Sequence, residues 1–457
     1  MRPADATLET TSGDDIMDEW RWMSVADLGR GIGAGGIDPV SLTEVFLEAI
    51  DAHKYRDRIY ARVTHDRARA EAKAASARAR AGTRKSLLDG VPISWKDLFD
   101  TAGTATEAGS ALLKGRTPMA DARVLATASA FGLVCLGKTH MSELAFSGIG
   151  INPSTATPPN RHDPAWVPGG SSSGAATSVA FGLAAAGIGS DTGGSVRIPA
   201  AWNDLVGLKT TSGRLSLEGT VPLCTSFDTV GPLCRTVEDA AVLMALLEGS
   251  TPPDLRNADL RGLRIGALQT SMFTDIREQP RAAHESAVDR MRQAGAVIEP
   301  FDAPEVDLAL AQTGVFAAEA YGLWKDVIEA APDKMFAEIL GRFRSGAGMS
   351  APEFVAAWKD IDDARTAWLA RTAGYDAVIA PTAPILPPDA ARMMEDHDYY
   401  VGENLMALRN TRVANMFGLA SLTLPTGVPA CGLMLLGKPY GEEALLRIGA
   451  AAEKALT

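Results

Sequence analysis

Cysteine and histidine are both scarce in this chain. The four cysteines are scattered and form no CxxC pair, and the six histidines form no HExxH or other metal-ligand pattern. A few unpaired thiols are typical of proteins from a reducing compartment. The sequence therefore predicts a cytoplasmic protein that uses no metal ion and no other cofactor.

Positively charged residues are fewer than negatively charged ones. The chain has 44 Lys and Arg residues against 56 Asp and Glu residues, which gives a formal net charge of −12. Aromatic residues make up only 6% of the chain, and no cluster of Lys and Arg is interleaved with them. Because an acidic surface is repelled by the phosphate backbone, we expect no nucleic-acid partner.

Long hydrophobic runs are absent as well. The longest run of small apolar residues, Val179–Gly189, is too short to cross a bilayer. The segment Met1–Asp15 is acidic and polar, unlike a secretory signal peptide. We therefore expect no membrane partner, and we predict that residues 1–20 form a disordered or extended N-terminus.

Two loops of the chain are rich in glycine and serine: GGSSSG at Gly169–Gly174 and GSDTGGSVR at Gly189–Arg197. Neither loop has the Gly-Lys-Ser/Thr ending of a nucleotide loop. Between them, the small apolar residues of Ala175–Gly187 predict a buried helix. Glycine permits close backbone approach and serine supplies a hydroxyl, so the two loops are predicted to build a site.

Both loops, together with GVPISWKD at Gly90–Asp97, resemble the motifs of the amidase signature family. The resemblance runs from about residue 25 to the end of the chain, and the three motifs in this order are much more specific than any one alone. It implies a triad of Ser195 as nucleophile, Ser171 after a cis peptide bond as proton relay, and Lys96 as base. The implied reaction is amide hydrolysis through an acyl-enzyme on Ser195.

The resemblance also implies roles for the residues around this triad. The turn before the nucleophile is implied to form an oxyanion hole from the N–H groups of Thr192, Gly193, Gly194 and Ser195. Supporting roles are implied for Gly170, Ser172, Asp191 and Arg197. The segment Lys138–Phe146 resembles one that lines the family's active site, so substrate contacts are expected from Met141, Phe146 and Gly169.

Some of these roles have alternatives that the residues leave open. Asp191 and Arg197 flank the nucleophile and are expected to pair and brace its loop, although Arg197 could instead reach a substrate carboxylate. Ser172 could cap a helix as readily as take part in catalysis. His140 stands where the family usually has Asn, and a structural hydrogen bond is favoured over a role as base.

Lys96 can act as a base only in its neutral form. An ordinary lysine has a pKa of about 10.4, and burial in apolar surroundings lowers it. The neighbours of Lys96 in sequence are largely apolar, which predicts such burial. Asp97 and Asp100 would raise the pKa again if they lay close, and the sequence does not decide between the two effects.

Apolar segments along the whole chain predict the fold. Strands are expected at Leu88–Trp95, Leu133–Gly137, Tyr375–Thr382 and Ser421–Leu424, among others. Because strands from both ends must share one sheet, we predict an α/β fold with a single large domain at 21–457. Its central mixed β-sheet is covered by helices on both faces, with a core at about 85–245 and 375–457 and a helical variable part at about 250–374.

Three functions compete on this fold. The first is a hydrolase that acts on a linear, non-peptide amide of a small molecule. For this protein a homodimer is an open alternative. The second is the glutamine-hydrolysing A subunit of a tRNA-dependent amidotransferase, which usually carries Asp-Gln where this chain has Phe227–Pro232 and an Arg-Tyr-Gly motif that is absent here. The third is a non-catalytic scaffold, which the presence of all three triad residues disfavours.

Overall fold

The structure, a computed structural model, describes residues 18–456. Within them, one sheet contains eleven strands: β1 Tyr60–Val63, β2 Pro92–Lys96, β3 Val134–Thr139, β4 Gly187–Ser190, β5 Val206–Lys209, β6 Val230–Cys234, β7 Arg264–Leu268, β8 Val297–Phe301, β9 Ala377–Pro381, β10 Ser421–Pro425 and β11 Gly432–Leu436. Their order across the sheet is β1-β3-β2-β4-β6-β5-β10-β11-β9-β7-β8.

The sheet is mixed and joins the two halves of the chain. Strand β2 is parallel to β3 and β4, and β7 is parallel to β8 and β9. The other pairs are antiparallel, including the pair that β10 makes with β5. Strands from both ends of the chain therefore share one sheet, which confirms the predicted α/β fold with a mixed central sheet.

Helices pack against this sheet. The α-helices of the described chain that have full bounds are Val25–Gly33, Pro39–Ala52, Arg56–Ile59, His65–Arg80, Arg123–Ala130, Ser173–Ala180, Arg197–Trp202, Val237–Glu248, Glu278–Gln293, Pro304–Ala311, Gly314–Ala330, Ala337–Arg344, Ala351–Thr372, Ala390–Glu395, His397–Met416 and Glu442–Leu456. Short 3-10 turns lie at Ala111–Leu113, Glu143–Ala145, Ser271–Phe273, Pro332–Lys334 and Ser345–Gly348.

The helix between the two Gly- and Ser-rich loops is shorter than predicted. It spans Ser173–Ala180 with every residue buried, and the chain then turns at Gly182, where φ is 66°. Residues 183–186 lead on into β4. The small apolar residues continue through this turn, so composition alone does not show where the helix ends. The short helix and β4 still bring the two loops together, since the Ser172 N–H donates to the Ser195 carbonyl at 3.2 Å.

The region at 250–374 is mostly helical, and it also supplies β7 and β8 at one edge of the sheet. Strand β8 was not predicted because its sequence is only weakly typical of a strand. Val297 and Pro300 are exposed, and a proline within a run of strand residues is typical of an edge strand.

Residues 18–20 are helical, so the disordered or extended N-terminus does not reach residue 20 as predicted. The rest of that prediction, residues 1–17, lies outside the described residues. From residue 18 to residue 456, no helix is both long enough and apolar enough to cross a membrane.

Candidate active site

Lys96 lies at the end of β2, a strand whose five residues are all buried near the middle of the parallel part of the sheet. Its Nζ atom donates to the Ser171 Oγ at 2.7 Å and to the Ser190 Oγ at 2.8 Å. The strand therefore delivers the lysine to both Ser-rich segments at once. The structure brings the predicted base and the predicted relay serine into direct contact.

Burial lowers the pKa of Lys96 to about 7, against the opposing charges of Asp228 and Asp191, which raise it. An amine with this pKa is largely neutral just above neutral pH. Lys96 thus meets the main electrostatic requirement for a general base.

The carboxylates next to Lys96 in sequence are not the ones that act on it. Asp97 pairs with Lys138 at 3.2 Å, and Asp100 pairs with Arg116 at 2.6 Å. Asp228 and Asp191 come instead from distant segments, and a sequence gives no direct sign of such long-range neighbours. The charges that raise the pKa of Lys96 are therefore those of Asp228 and Asp191, and not those of Asp97 and Asp100, whose effect the sequence left open.

The loop that carries Ser171 needs its glycines. The Gly170–Ser171 peptide bond is cis, as the resemblance implied. A Cβ atom at Gly169, where φ is 80°, would lie 2.8 Å from the Cα atom of Pro199. A Cβ atom at Gly170 would lie 2.7 Å from the Ser142 Oγ. The two glycines therefore allow the loop to pack closely against its neighbours, which places Gly169 in the packing of the loop and not in the lining of a cavity.

Ser172 links the two loops. Its Oγ atom donates to the Ser190 carbonyl at 3.1 Å, and its side chain does not cap the Ser173–Ala180 helix. Ser173 donates its hydroxyl to the His140 carbonyl at 3.3 Å. Ser172 therefore ties the loop that carries Ser171 to the segment before Ser195.

Asp191 and Arg197 brace the nucleophile loop as predicted. The Arg197 guanidinium donates to both Asp191 carboxylate oxygens, at 2.8 and 3.0 Å, and neither side chain is exposed. Burial alone would raise the pKa of Asp191, but the charge and hydrogen bonds of Arg197 outweigh it and hold the pKa well below its usual range. The remaining Arg197 donors reach the Thr411 carbonyl and the Asn415 Oδ1. Arg197 is thus directed at protein acceptors and not at a substrate.

The backbone of the nucleophile turn supplies fewer free donors than predicted. The Gly194 N–H donates to the Asp191 Oδ1 at 2.8 Å, so it is not free to bind an oxyanion. The N–H groups of Thr192, Gly193 and Ser195 have no acceptor in the described part of the chain. Asp191 fixes the turn by taking one of the four predicted donors, and three remain.

Asp228 is a part of this site that the sequence did not identify. It accepts from the Thr192 hydroxyl at 2.5 Å and from the N–H groups of Leu223 and Cys224. Burial raises the pKa of Asp228 to about 6. Asp228 lies within Phe227–Pro232, which resembles a turn of the amidase signature family. That resemblance was the sequence signal that could have identified Asp228 as part of the site.

A small cavity opens at Ser195. Its walls combine this serine with apolar, aromatic and cationic side chains: Ala145, Phe146, Ser147, Thr192, Gly193, Ser195, Leu223, Phe316, Arg342, Leu408 and Arg412. Of the predicted substrate contacts, Phe146 lines this cavity. Met141 is fully buried and does not, which makes it part of the core.

Arg342 and Arg412 were not predicted. They lie on the helices Ala337–Arg344 and His397–Met416, far along the chain from every motif. The sequence carried a signal for Arg412 alone, because a charged residue stands there next to the apolar Val413 and Ala414.

The hydroxyls of Ser195 and Ser171 share no hydrogen bond in the described chain, although their loops are in contact through Ser172.

His140 forms no hydrogen bond with Lys96, Ser171 or Ser195 in the described chain, and burial lowers its pKa to about 4. From residue 18 to residue 456, no group of three His, Cys, Asp or Glu side chains is arranged as metal ligands.

The chain is similar to known proteins over nearly its whole length. The family profile described as Amidase matches residues 41–446. The chain is 32% identical to the A subunit of the glutamyl-tRNA(Gln) amidotransferase of Anaeromyxobacter sp. (strain K), over 95% of this chain and 96% of that protein. It is 35% identical to the 2-amino-5-chloromuconic acid deaminase of Comamonas testosteroni, over 87% of this chain and 88% of that protein.

The fold has solved counterparts. The X-ray structure of native peptide amidase from Stenotrophomonas maltophilia superposes with a TM-score of 0.80 at 29% identity, covering 96% of this chain and 98% of that chain. The architecture of this chain is thus found in a solved relative over nearly the full length of both proteins.

Proposed function

This chain belongs to the amidase signature family, and on that premise we propose that it hydrolyses a carboxylic amide to an acid and ammonia or an amine. The observation that carries the proposal is the contact between the fully buried Lys96 and the Ser171 hydroxyl at 2.7 Å. The small cavity at Ser195 favours a linear amide of a small molecule. The similarity to a deaminase, to a peptide amidase and to one component of an amidotransferase supports chemistry at a carbon–nitrogen bond.

In the proposed first half-reaction, the Ser195 Oγ attacks the amide carbon and its proton passes through the Ser171 hydroxyl to the neutral Lys96 Nζ. The proton then returns along the same path to the leaving nitrogen. The carbon–nitrogen bond breaks, ammonia or an amine leaves, and the acyl group stays on Ser195. Catalytic hydrogen bonds are often looser before substrate binds, so we propose that the link from Ser195 to Ser171 closes with substrate in place.

In the second half-reaction, water attacks the acyl-enzyme and gives its proton to the same relay, which releases the acid and restores the Ser195 hydroxyl. Each step passes through a tetrahedral oxyanion. The free N–H groups of Thr192, Gly193 and Ser195 are proposed to bind it, and the loss of one such donor typically costs about 3 kcal/mol of transition-state stabilisation.

The glutamine-hydrolysing component of an amidotransferase is the second candidate, because relatives of that name match nearly the whole chain. Glutamine carries an α-amino group, which is normally held by a carboxylate. No acidic side chain lines the described cavity at Ser195. The cavity thus offers no carboxylate to the α-amino group of glutamine, which favours a hydrolase with another substrate.

Ammonia release by the purified chain alone tests the proposal. We expect ammonia from at least one member of a panel of small linear amides, and slower turnover of glutamine than of that member. Glutamine turnover that appears only with the partner subunits of an amidotransferase would support the second candidate. If no amide releases ammonia and a fluorophosphonate fails to label Ser195, the proposed hydrolase is wrong.

A further inference from the structure

The cavity at Ser195 contains two arginines without a counter-charge. Arg412 is only 8% exposed, and it forms neither a salt bridge nor a side-chain hydrogen bond with any described residue. Arg342 also has no such partner in the described chain, and its Nη1 atom is buried without an acceptor. Both side chains line the cavity that contains the nucleophile.

Other largely buried arginines of the described chain donate to acceptors within the protein. The buried Arg197 is paired with Asp191, and the largely buried Arg214 is paired with Glu442. An unpaired buried charge is costly, and it is normally neutralised by a partner within the protein or by a bound one. Burial, together with the nearby charge of Arg342, lowers the pKa of Arg412 to about 9.

Aromatic rings hold the two guanidinium groups in place without neutralising them. The Arg342 Cζ atom lies 4.4 Å from the centroid of the Phe146 ring, and the Arg412 Cζ atom lies 5.8 Å from that of Phe316. The guanidinium groups are thus positioned in the cavity with donors left over for a ligand.

The neighbouring carboxylates are already engaged elsewhere. Asp228 accepts from Thr192 and from two backbone N–H groups. Glu143 accepts from the Ser110 hydroxyl at 2.7 Å and from the Phe336 N–H at 2.9 Å. The cavity at the nucleophile is therefore positively charged and lacks an internal anion.

The geometry points to a substrate whose acyl part ends in a carboxylate: we infer that the enzyme takes the monoamide of a short dicarboxylic acid. Its carboxylate binds Arg412 and Arg342 while the amide carbon lies at Ser195. The acyl part is short because the Arg412 side chain lies beside the turn that carries Ser195: a Cβ atom at Gly193 would lie 3.9 Å from the Arg412 Nε. Attack by Ser195 displaces ammonia from the amide carbon, and water then hydrolyses the acyl-enzyme to release the dicarboxylic acid. This inference rests on the proposed hydrolysis and adds the class of substrate.

Matched substrates test the inference on the wild-type enzyme. Malonamic, succinamic and glutaramic acids are compared with their diamides, which replace the carboxylate by a neutral group of similar shape. We expect kcat/KM for the best monoamide to exceed that of its diamide by about tenfold or more, since hydrogen bonds between charged groups are the strong ones. Equal or faster hydrolysis of the diamides would overturn the inference and leave the proposed hydrolase intact.

Variants assign the effect to the two arginines. Arg412→Gln and Arg342→Gln should each raise KM for the monoamide by about 10- to 100-fold, with a smaller change in kcat and little change for the diamide. The control is Arg409→Gln on the same helix, because Arg409 donates to the carbonyls of Thr274 and Met272. A monoamide KM that stays at the wild-type value in both cavity variants would contradict the inference.

A binding measurement keeps the test independent of turnover and of the variants' folding. Malonate, succinate and glutarate are titrated into wild-type enzyme by calorimetry. At least one should bind and should compete with fluorophosphonate labelling of Ser195. Absence of binding by all three would overturn the inference, whereas failure of the hydrolase itself would appear as absent labelling and absent ammonia.

Discussion

At the scale of single residues, the chemistry depends on protonation states that the surroundings impose. Lys96 is an ordinary amine whose pKa burial lowers to about 7, so that the neutral form predominates only above neutral pH. Asp191 is an ordinary carboxylate that Arg197 keeps charged. The same fold thus lowers the positive charge on Lys96 and preserves the negative charge on Asp191.

The residue-scale prediction concerns Ser195. Ser195→Ala removes the only proposed attacking atom, so kcat should fall by about 10³-fold or more and fluorophosphonate labelling should disappear. Far-UV circular dichroism should show that the fold is retained. Ser173→Ala is the control, because the Ser173 hydroxyl donates to a backbone carbonyl. Labelling that persists at another serine in Ser195→Ala would end the assignment of the nucleophile.

At the scale of elements, the site is a strand, a helix and two loops held by one ion pair. Strand β2 delivers Lys96, and the buried Ser173–Ala180 helix links the two Ser-rich loops. The Asp191–Arg197 pair fixes the turn before Ser195 and ties it to the His397–Met416 helix through Thr411 and Asn415.

This brace predicts a stability effect. Arg197→Gln leaves a buried carboxylate without its cation, which typically costs about 3–5 kcal/mol of unfolding free energy at pH 7. The pKa of Asp191 is depressed in the folded state, so its contribution is present above the unfolded pKa of about 3.9 and is lost as the pH falls toward the folded value. Denaturant unfolding of wild type and variant should therefore show a difference that shrinks below about pH 4.

The matched control for the brace is Arg261→Gln. Arg261 forms a solvent-exposed pair with Asp259, so its loss should leave the unfolding free energy nearly unchanged. If Arg197→Gln were no less stable than Arg261→Gln, the Asp191–Arg197 pair would not be the brace of the loop.

At the scale of the whole molecule, the sequence predicts the architecture well and the cavity poorly. The α/β fold, the sharing of one sheet by both ends of the chain and the pairing of Asp191 with Arg197 followed from apolar strand patterns and from residues close together in sequence. Asp228, Arg342 and Arg412 did not, because they reach the site from separate elements through long-range packing. The end of the Ser173–Ala180 helix was misplaced because small residues fit a buried helix, a turn and a strand equally well.

The claim on which the whole account depends is that Lys96 is a neutral base, and kcat measured against pH tests it most directly. For the wild type, kcat should rise with pH through one ionisation near 7 and then level off, because only the neutral amine accepts a proton. Lys96→Arg should lose that ionisation and nearly all activity, since guanidinium stays protonated. Lys209→Met is the control: Lys209 is also fully buried with a pKa lowered to about 7, yet it donates only to backbone carbonyls, so the ionisation in kcat should remain. A Lys96→Arg enzyme that keeps more than about a tenth of wild-type kcat, a barrier change under roughly 1.4 kcal/mol, would contradict the account.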